Sequence, residues 1–344
     1  MIRIGVIGCG DIAVTAHFPA LARCGRVQIA AISTRSQDRL LELKDRYRVP
    51  FATTDYHELL ASKEVDAVIV ATPPWATPQI VIEALESGKD VLCEKPVAMT
   101  IEEAERMQET ADRTGRRLMA GMTYHHDPVL HKMREWVQSG RIGSPVMYRA
   151  AVYDETWDPE ENPEHYNRIM KTLQHGSPSV HEGAHVFDWL HVVNQAEIRS
   201  LTGFGFKSRP EFPDSNYDII ILDYTNNDRA KIEIAWFLTQ FPEFDFEAVG
   251  PLGIASMNSH RRYARLRTRE ETEEYNDPKG WWEHCFDLQT SRFIDLIEKG
   301  GPCEPGIADA IYTMRATDAV RESMRRGVTV NLECRREEIG DAGD

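Results

Sequence analysis

"RIGVIGCGDIAVTAHFPAL", residues 3–21, runs from a β-branched stretch through a glycine pair into helix-like periodicity. The order matters more than the letters. Ile2 to Ile7 reads as a short buried strand, and Gly8-x-Gly10-x-x-Ala13 follows it directly. In a strand–turn–helix setting, G-x-G-x-x-G/A is the fingerprint of a dinucleotide site. Gly8 permits the tight turn, and Gly10 lets the backbone approach a pyrophosphate. Ala13 is small enough for helix and strand to pack closely, and the helix N-terminus faces the phosphates. A glycine-rich turn without a ligand carries the same letters, so the neighbouring segments must decide.

They alternate. VQIAAI (27–32), VDAVIVATPP (65–74), KDVLCEKP (89–96) and RRLMAGMTY (116–124) read as further strands. Near-continuous apolar runs suit parallel strands covered on both faces. Helical segments fall near 36–47, 77–87 and 100–114. The alternation predicts an α/β Rossmann domain, a doubly wound parallel sheet, over residues 1–122. After the second strand come Ser33, Thr34, Arg35 and Ser36, with no carboxylate. An NAD site usually has an acid there for the ribose hydroxyls. Hydroxyls and a guanidinium suit a 2′-phosphate, so the sequence favours NADP(H) over NAD(H). The alternative is that Arg35 is a solvated residue at a helix start.

Farther along, the texture changes. SPVMYRAAVY (144–153), IRSLTGFGF (198–206), YDIIILDYT (217–225), RAKIEIAWFL (229–238) and FDFEAVGPLGIASM (244–257) are candidate strands. The Asn226-Asn227-Asp228 turn marks a hairpin. These predict a C-terminal α+β domain, residues 123–344, with a large, mainly antiparallel sheet and helices on one face. The segment 307–327 reads as an amphipathic helix expected to pack back on the first domain. The acidic end, 337–344, reads as loose.

Composition sets bounds on partners. Of 344 residues, 42% are hydrophobic and 28% charged, as in soluble globular proteins. A net charge of −15 argues against nucleic acid. No apolar run nears the roughly 20 residues of a membrane helix, and the opening lacks a signal-peptide layout. Six scattered cysteines without a C-x-x-C pair point to reduced thiols and a cytoplasmic protein.

With these motifs together, the chain resembles the glucose–fructose oxidoreductase/inositol dehydrogenase (Gfo/Idh/MocA) family. The resemblance rests on Gly8-Cys9-Gly10-Asp11-Ile12-Ala13, VDAVIVATPP, ALESGKDVLCEKP (84–96) and SGRIGSPVMYRA (139–150), and more loosely on residues 292–320. It implies hydride transfer from a secondary alcohol of a sugar, polyol or glycoside. It also implies cofactor contacts from Gly8, Gly10, Asp11, Ile12, Ser33, Thr34, Arg35, Ala71, Thr72, Pro73, Glu94 and Lys95. The Glu94-Lys95-Pro96 element is its most specific local signal and places Lys95 near the nicotinamide and the reacting carbinol. The chemistry agrees: an ammonium stabilises developing alkoxide charge, and an imidazole can take the hydroxyl proton at neutral pH. The competing reading is that Lys95 only pairs with Glu94 or a surface acid. Relatives use the face of the C-terminal sheet for contacts, which implies a homodimer or homotetramer.

HEGAHVFDWLH (181–191) admits two readings. The family pattern is an acid, three residues, His, two residues, Asp. It makes His185 the catalytic imidazole with Asp188 beyond it. The expected acid is His181, so this second imidazole, or Glu182, must assist. The other reading is a zinc site, H-E-x-x-H. Its third ligand, His191, would lie about 9 Å beyond His185 on a continuous helix, too far to share one metal. A metal-dependent enzyme using His181 and His185 is therefore a remote alternative, and the expected site holds no metal. Tyr124 and His125 are candidate substrate contacts, as are Tyr153 and Trp157, whose rings suit the apolar face of a sugar. A second function within the same family is a lyase or glycosidase that oxidises transiently, eliminates, and reduces back on tightly held NAD(H).

Overall fold

The computed structural model describes residues 1–156, 159–239 and 242–332. The chain divides into two units, Met1–His126 with Trp282–Met314, and Asp127–Trp281 with the chain from Arg315 onward. Among the described residues each unit contains one sheet.

In the first unit β1 (Ile2–Ile7), β2 (Val27–Ser33), β3 (Phe51–Thr53), β4 (Ala67–Val70), β5 (Asp90–Glu94) and β6 (Leu118–Gly121) lie in the order β3-β2-β1-β4-β5-β6. Every pair is parallel. Between them run α1 (Phe18–Arg23), α2 (Gln37–Tyr47), α3 (Tyr56–Ala61), α4 (Thr77–Glu86) and α5 (Ile101–Thr114). Strand order reverses between β1 and β4, and ligands bind beyond the carboxyl ends of strands at such a point. Strand β4 is buried at every position, because both faces are covered. Val68 and Val70 pack into one core, Ala67 and Ile69 into another, as a two-residue period requires. Helix α5 starts at a Thr100–Glu103 capping box and stops at Gly115 with φ +65°, so local chemistry alone sets its length. The short β3 and α3 were not anticipated; three and six residues carry too little periodicity to read.

The second unit opens with α6 (Pro128–Gln138), then β7 (Met147–Asp154), α7 (Pro163–Leu173), α8 (Pro178–Asn194), β8 (Ile198–Phe206), β9 (Tyr217–Tyr224), β10 (Arg229–Trp236), β11 (Glu243–Val249), β12 (Gly253–Asn258), β13 (Tyr263–Thr268) and β14 (Thr272–Asn276). The chain returns to the first unit with α9 (Trp281–Lys299). It closes with α10 (Ile307–Arg326), which crosses from the first unit to the second, and β15 (Val330–Asn331). The sheet order is β14-β13-β12-β11-β7-β10-β9-β8-β15. Its pairs are antiparallel except β7 with β10. Residues 244–257, expected as one strand, are two, joined through Gly250–Leu252, where the Gly250 N–H donates to the Gly253 carbonyl. Strands β13 and β14 escaped notice because each is short and mixes charged with apolar residues.

Alternation along these strands separates two faces. Tyr148, Phe246 and Trp189 of α8 pack on the inner one. The outer face carries Arg149, Lys231, Glu233, Asp245 and Glu247 around a groove of about 440 Å³. In α9, Phe293, Ile294 and Leu296 join Ile4, Val6 and Leu92 in one core. Arg26 on the loop before β2 pairs with Asp295 of α9 at 2.5 Å. Among the described residues no helix is long and apolar enough to cross a membrane.

One stacked imidazole of the second unit sets an acid limit. His260 stacks on Phe244 with ring centroids 3.7 Å apart. Burial, then the charge of Arg262, lowers its pKa from 6.5 to about 4. Below pH 6.5 the unfolded chain takes up a proton that the folded chain refuses until about pH 4. Stability present above pH 6.5 is therefore lost as pH falls across that window. His260→Phe should flatten the urea-midpoint profile between pH 6.5 and 4; an unchanged slope would count against His260 as its source.

Candidate active site

The glycine turn is built as its sequence requires. Gly8 has φ +88°, and a Cβ there would lie 2.3 Å from the Ala71 carbonyl oxygen and 2.9 Å from Thr72 Cγ2. Only glycine fits, and Ala71 and Thr72 therefore border the turn. The Gly8 N–H donates to the Ser33 carbonyl at 2.9 Å, tying β1 to the end of β2. Gly10 differs: a Cβ there would meet nothing within 4 Å. That open space above the turn is what a pyrophosphate needs, so these residues fit a dinucleotide. The Val14 N–H then bonds to the Gly10 carbonyl at 3.1 Å and the helix begins. Asp11 is exposed, Ile12 half-buried and Pro73 exposed. Thr72 and Thr77 join their hydroxyls at 2.8 Å, which holds the turn after β4.

At the end of β2, Ser33 is buried, Thr34 half-buried and Arg35 exposed. The Thr34 N–H is engaged with the Thr53 carbonyl at 3.3 Å. Ser36 caps α2 by accepting from the Arg39 N–H. The motif reading missed Arg39. Its Nη1 donates to the Cys9 carbonyl at 3.2 Å and lies 3.6 Å from Asp11, so a second guanidinium sits on the glycine turn. The available signal was its position: Arg39 stands in the first turn of α2, directly after the Ser33–Ser36 stretch.

At the end of β5, Glu94 is buried and Lys95 half-buried. The Glu94 carboxylate accepts from His17 Nε2 at 2.8 Å and from the Lys95 backbone N–H at 3.0 Å. The Lys95 ammonium itself has no hydrogen-bond or ion-pair partner among the described residues. The reading in which its charge is spent on Glu94 is thereby set aside. Register places these ends side by side: Ile7 pairs with Val70, and Val70 with Cys93. In the same unit Tyr124 is buried in the 3₁₀ turn Thr123–His126, and the half-buried His125 lies 6.0 Å from His126, ring to ring.

In the second unit α8 runs unbroken from Pro178 to Asn194. His181 and His185 are one turn apart, and His191 lies further along the same helix. The His181 ring stacks on Trp236 at 5.3 Å with 20° between planes. Among the described residues no group of three or more His, Cys, Asp or Glu is arranged to hold a metal. Glu182 is half-buried and its charge reaches Glu155. Burial chiefly raises the Glu155 carboxyl above its usual range, His165 draws it down, and Glu182 pushes it up again. His165 Nε2 lies 2.5 Å from Glu155, and Arg168 lies 3.0 Å from the other ring nitrogen. No motif marks His165 or Arg168; His165 meets Glu155 only because α7 folds over the end of β7, and Arg168 joins through the His165 ring.

Tyr153 requires a correction. It alternates with Arg149 and Ala151 on the outer face of β7, and its hydroxyl donates to Glu233 of β10. Tyr217 donates to the same carboxylate at 3.1 Å. Helix α8 covers the opposite face, so the structure does not bring Tyr153 together with His181 and His185. The strand period decides this: an odd position on β7 cannot share a face with Trp236. Trp157, the other expected ring contact, lies outside the described residues.

A parallel sheet in this order, with a glycine turn open above Gly10, defines a dinucleotide-binding α/β protein. Residues 2–122 match the family model described as "Oxidoreductase family, NAD-binding Rossmann fold" (GFO_IDH_MocA), and residues 130–256 match the GFO/IDH/MocA C-terminal domain. The chain belongs to the Gfo/Idh/MocA family and is an oxidoreductase with an NAD-binding Rossmann fold. Among its relatives, the inositol 2-dehydrogenase of Salmonella typhimurium is 24% identical over 338 residues, covering 96% of this chain and 97% of the relative. The myo-inositol 2-dehydrogenase of Thermotoga maritima is 31% identical over 203 residues, 59% of this chain and 58% of the relative. The fold is shared with scyllo-inositol dehydrogenase from Lactobacillus casei, solved with bound NAD(H) and scyllo-inositol. The TM-score is 0.84 at 16% identity, covering 97% of this chain and 99% of that one.

Proposed function

We propose that this chain oxidises a secondary alcohol of a polyol or sugar, in the reverse direction reducing the ketone, with a nicotinamide nucleotide. The observation that carries it is Lys95, an ammonium without a partner among the described residues, at the carboxyl end of β5, two strands from the turn at Gly8. When bound, the nucleotide accepts the hydride. Gly8, Gly10, Asp11 and Ile12 hold its phosphates, and Ala71, Thr72 and Pro73 flank it. Lys95 donates a hydrogen bond to the carbinol oxygen and stabilises the charge that grows there. His185 takes the hydroxyl proton, assisted by His181 or Glu182, with Tyr124 and His125 as further substrate contacts. The relatives named for inositol support a cyclic polyol as substrate. Incubating the purified protein with myo-inositol, scyllo-inositol and a panel of sugars tests this, read at 340 nm and by product analysis. Stoichiometric reduction of nucleotide supports the reading. Elimination product with no net change at 340 nm would replace it with the lyase chemistry.

The preferred nucleotide is NADP(H). Arg35 and Arg39 supply two guanidinium groups, with the Ser33 and Thr34 hydroxyls nearby, and residues 33–36 carry no carboxylate to repel a 2′-phosphate. A charge-assisted hydrogen bond contributes about 1.5–3 kcal/mol. The double variant Arg35→Ala/Arg39→Ala should weaken NADP binding by about 10–100-fold and leave NAD within about three-fold. Equal losses for both nucleotides in a calorimetric titration would remove the two residues from 2′-phosphate recognition.

The assembly is a homodimer or homotetramer through the outer face of the C-terminal sheet. Phe204, Phe206 and Ile221 are 50%, 48% and 37% exposed there, an apolar strip of the kind that marks interaction surfaces. A monomer in sedimentation equilibrium at micromolar concentration would refute it.

A further inference from the structure

His17 belongs to no motif of the chain. It closes the π-helical turn Ala13–His17 that continues from the glycine loop, and π turns recur at functional sites. The ring is fully buried. Its edge contact with Phe286, centroids 5.4 Å apart and planes at 86°, holds it in place. Nε2 faces Glu94 Oε1 at 2.8 Å, and the other carboxylate oxygen accepts from the Lys95 N–H. A carboxylate only accepts, so the facing ring nitrogen carries the proton. Neighbouring β6 shapes the same spot: a Cβ at Gly121 would lie 2.9 Å from Glu94 Cα and 3.1 Å from its carboxyl carbon. Gly121 thus leaves room for the acid, and His17 and the Lys95 amide satisfy it. A buried carboxylate is tolerated only with such partners. Among the described residues no ion pair joins this carboxylate to the Lys95 ammonium.

We infer that His17 is a positioning residue: acting through Glu94, it anchors the Lys95 backbone and so sets the direction in which the ammonium leaves β5. This rests on the reading that Lys95 works on the substrate oxygen. Two variants separate positioning from plain packing. His17→Gln keeps an N–H donor at the reach of Nε2; His17→Leu keeps bulk and loses the donor. Residue-resolved hydrogen exchange on the nucleotide-free protein reads the strut directly. In His17→Leu the Lys95 amide should exchange about ten-fold faster or more, with Ile4 and Val6 unchanged, because its acceptor is no longer held. In His17→Gln it should stay within about two-fold of the parent. On the polyol that the parent oxidises, His17→Leu should lose about 30-fold in kcat with the nucleotide KM within about two-fold, and His17→Gln should recover most of it. Should His17→Leu not fold, His17→Asn replaces it, since its shorter amide cannot reach Oε1. Parent-like exchange at Lys95 in the donor-free variant overturns the inference. So does equal damage in His17→Gln, or a released amide with kcat unchanged. The exchange measurement needs no substrate. A parent inactive on every polyol would thus sink the dehydrogenase reading and leave the strut to be judged on exchange alone.

Discussion

Lys95→Ala is expected to lower kcat by about 10³-fold while the dissociation constant for nucleotide stays within about three-fold. The expected loss corresponds to roughly 4 kcal/mol of transition-state stabilisation. The asymmetry follows from where the residue stands. In the proposed reading, nucleotide binding draws on backbone groups of the glycine turn and on the end of β2, none of which the substitution touches. In the same reading the ammonium meets the substrate oxygen, where charge grows only as the hydroxyl proton leaves, and an interaction made mainly in the transition state appears in kcat. Lys95→Arg should not restore the rate, because a planar fork replaces a point charge. Stopped-flow absorbance at 340 nm with fluorescence titration of nucleotide checks both halves. Full activity in Lys95→Ala would remove the residue from the mechanism, and a parallel collapse of nucleotide affinity would recast it as a binding residue.

Arg262→Ala should produce the largest loss of stability, about 3–5 kcal/mol. Arg262 is 7% exposed, between Asp127 at 0% and Asp277 at 6%. Nη1 donates to Asp127 at 2.8 Å and to the Ser259 carbonyl at 3.1 Å. Nη2 meets Asp277, and Nε bonds to the Lys279 carbonyl at 3.1 Å. Asp127 also caps α6 through the Val129 N–H and accepts from Ser259 Oγ. Burial holds the Asp127 carboxyl above its usual range even with the guanidinium alongside, which shows how large the desolvation cost is. Removing the cation leaves two buried carboxylates to be protonated or hydrated. The midpoint of the unfolding transition of the second unit should fall by roughly 10 °C. Arg262→Lys should recover little, since one ammonium cannot serve four acceptors fixed around a fork. A calorimetric midpoint within a degree of the parent would show that the network is dispensable.

Much of the first unit was legible because its signals are local. The turn at Gly8 needs positive φ, and the strands around it are buried on both faces and so read as unbroken apolar runs. Helices α2, α4 and α5 begin and end within a residue or two of their expected bounds, since caps and periodicity lie in the same short stretch of chain. Strands β8 and β9 were legible for a similar reason, being long and alternating. Strands β13 and β14 were not, because their charged side chains conceal the period. Helices α6, α7 and α9 also went unnoticed in the linear reading; α9 joins the core through contacts with residues as far back along the chain as Ile4 and Val6.

The candidate site divides along the same line. Gly8 and Gly10 could be named from spacing, and Lys95 and the pair His181/His185 from the family resemblance, because each belongs to one continuous motif on one element. Arg39 reaches the Cys9 carbonyl, His17 reaches Glu94, and His165 reaches Glu155 only after distant elements have packed, and hydrogen bonds across such separations leave no periodic trace in the chain. Tyr153 shows the converse: its ring chemistry suited a sugar, yet the pleat of β7 turned it to the other face. By itself, the sequence determined the class of fold, the family and the place of the nucleotide turn, because backbone conformation and burial pattern are local consequences of residue type. Only tertiary structure decided which carboxylates are satisfied, which cation is left unpaired and which face each side chain occupies, because these depend on partners that the linear order keeps apart.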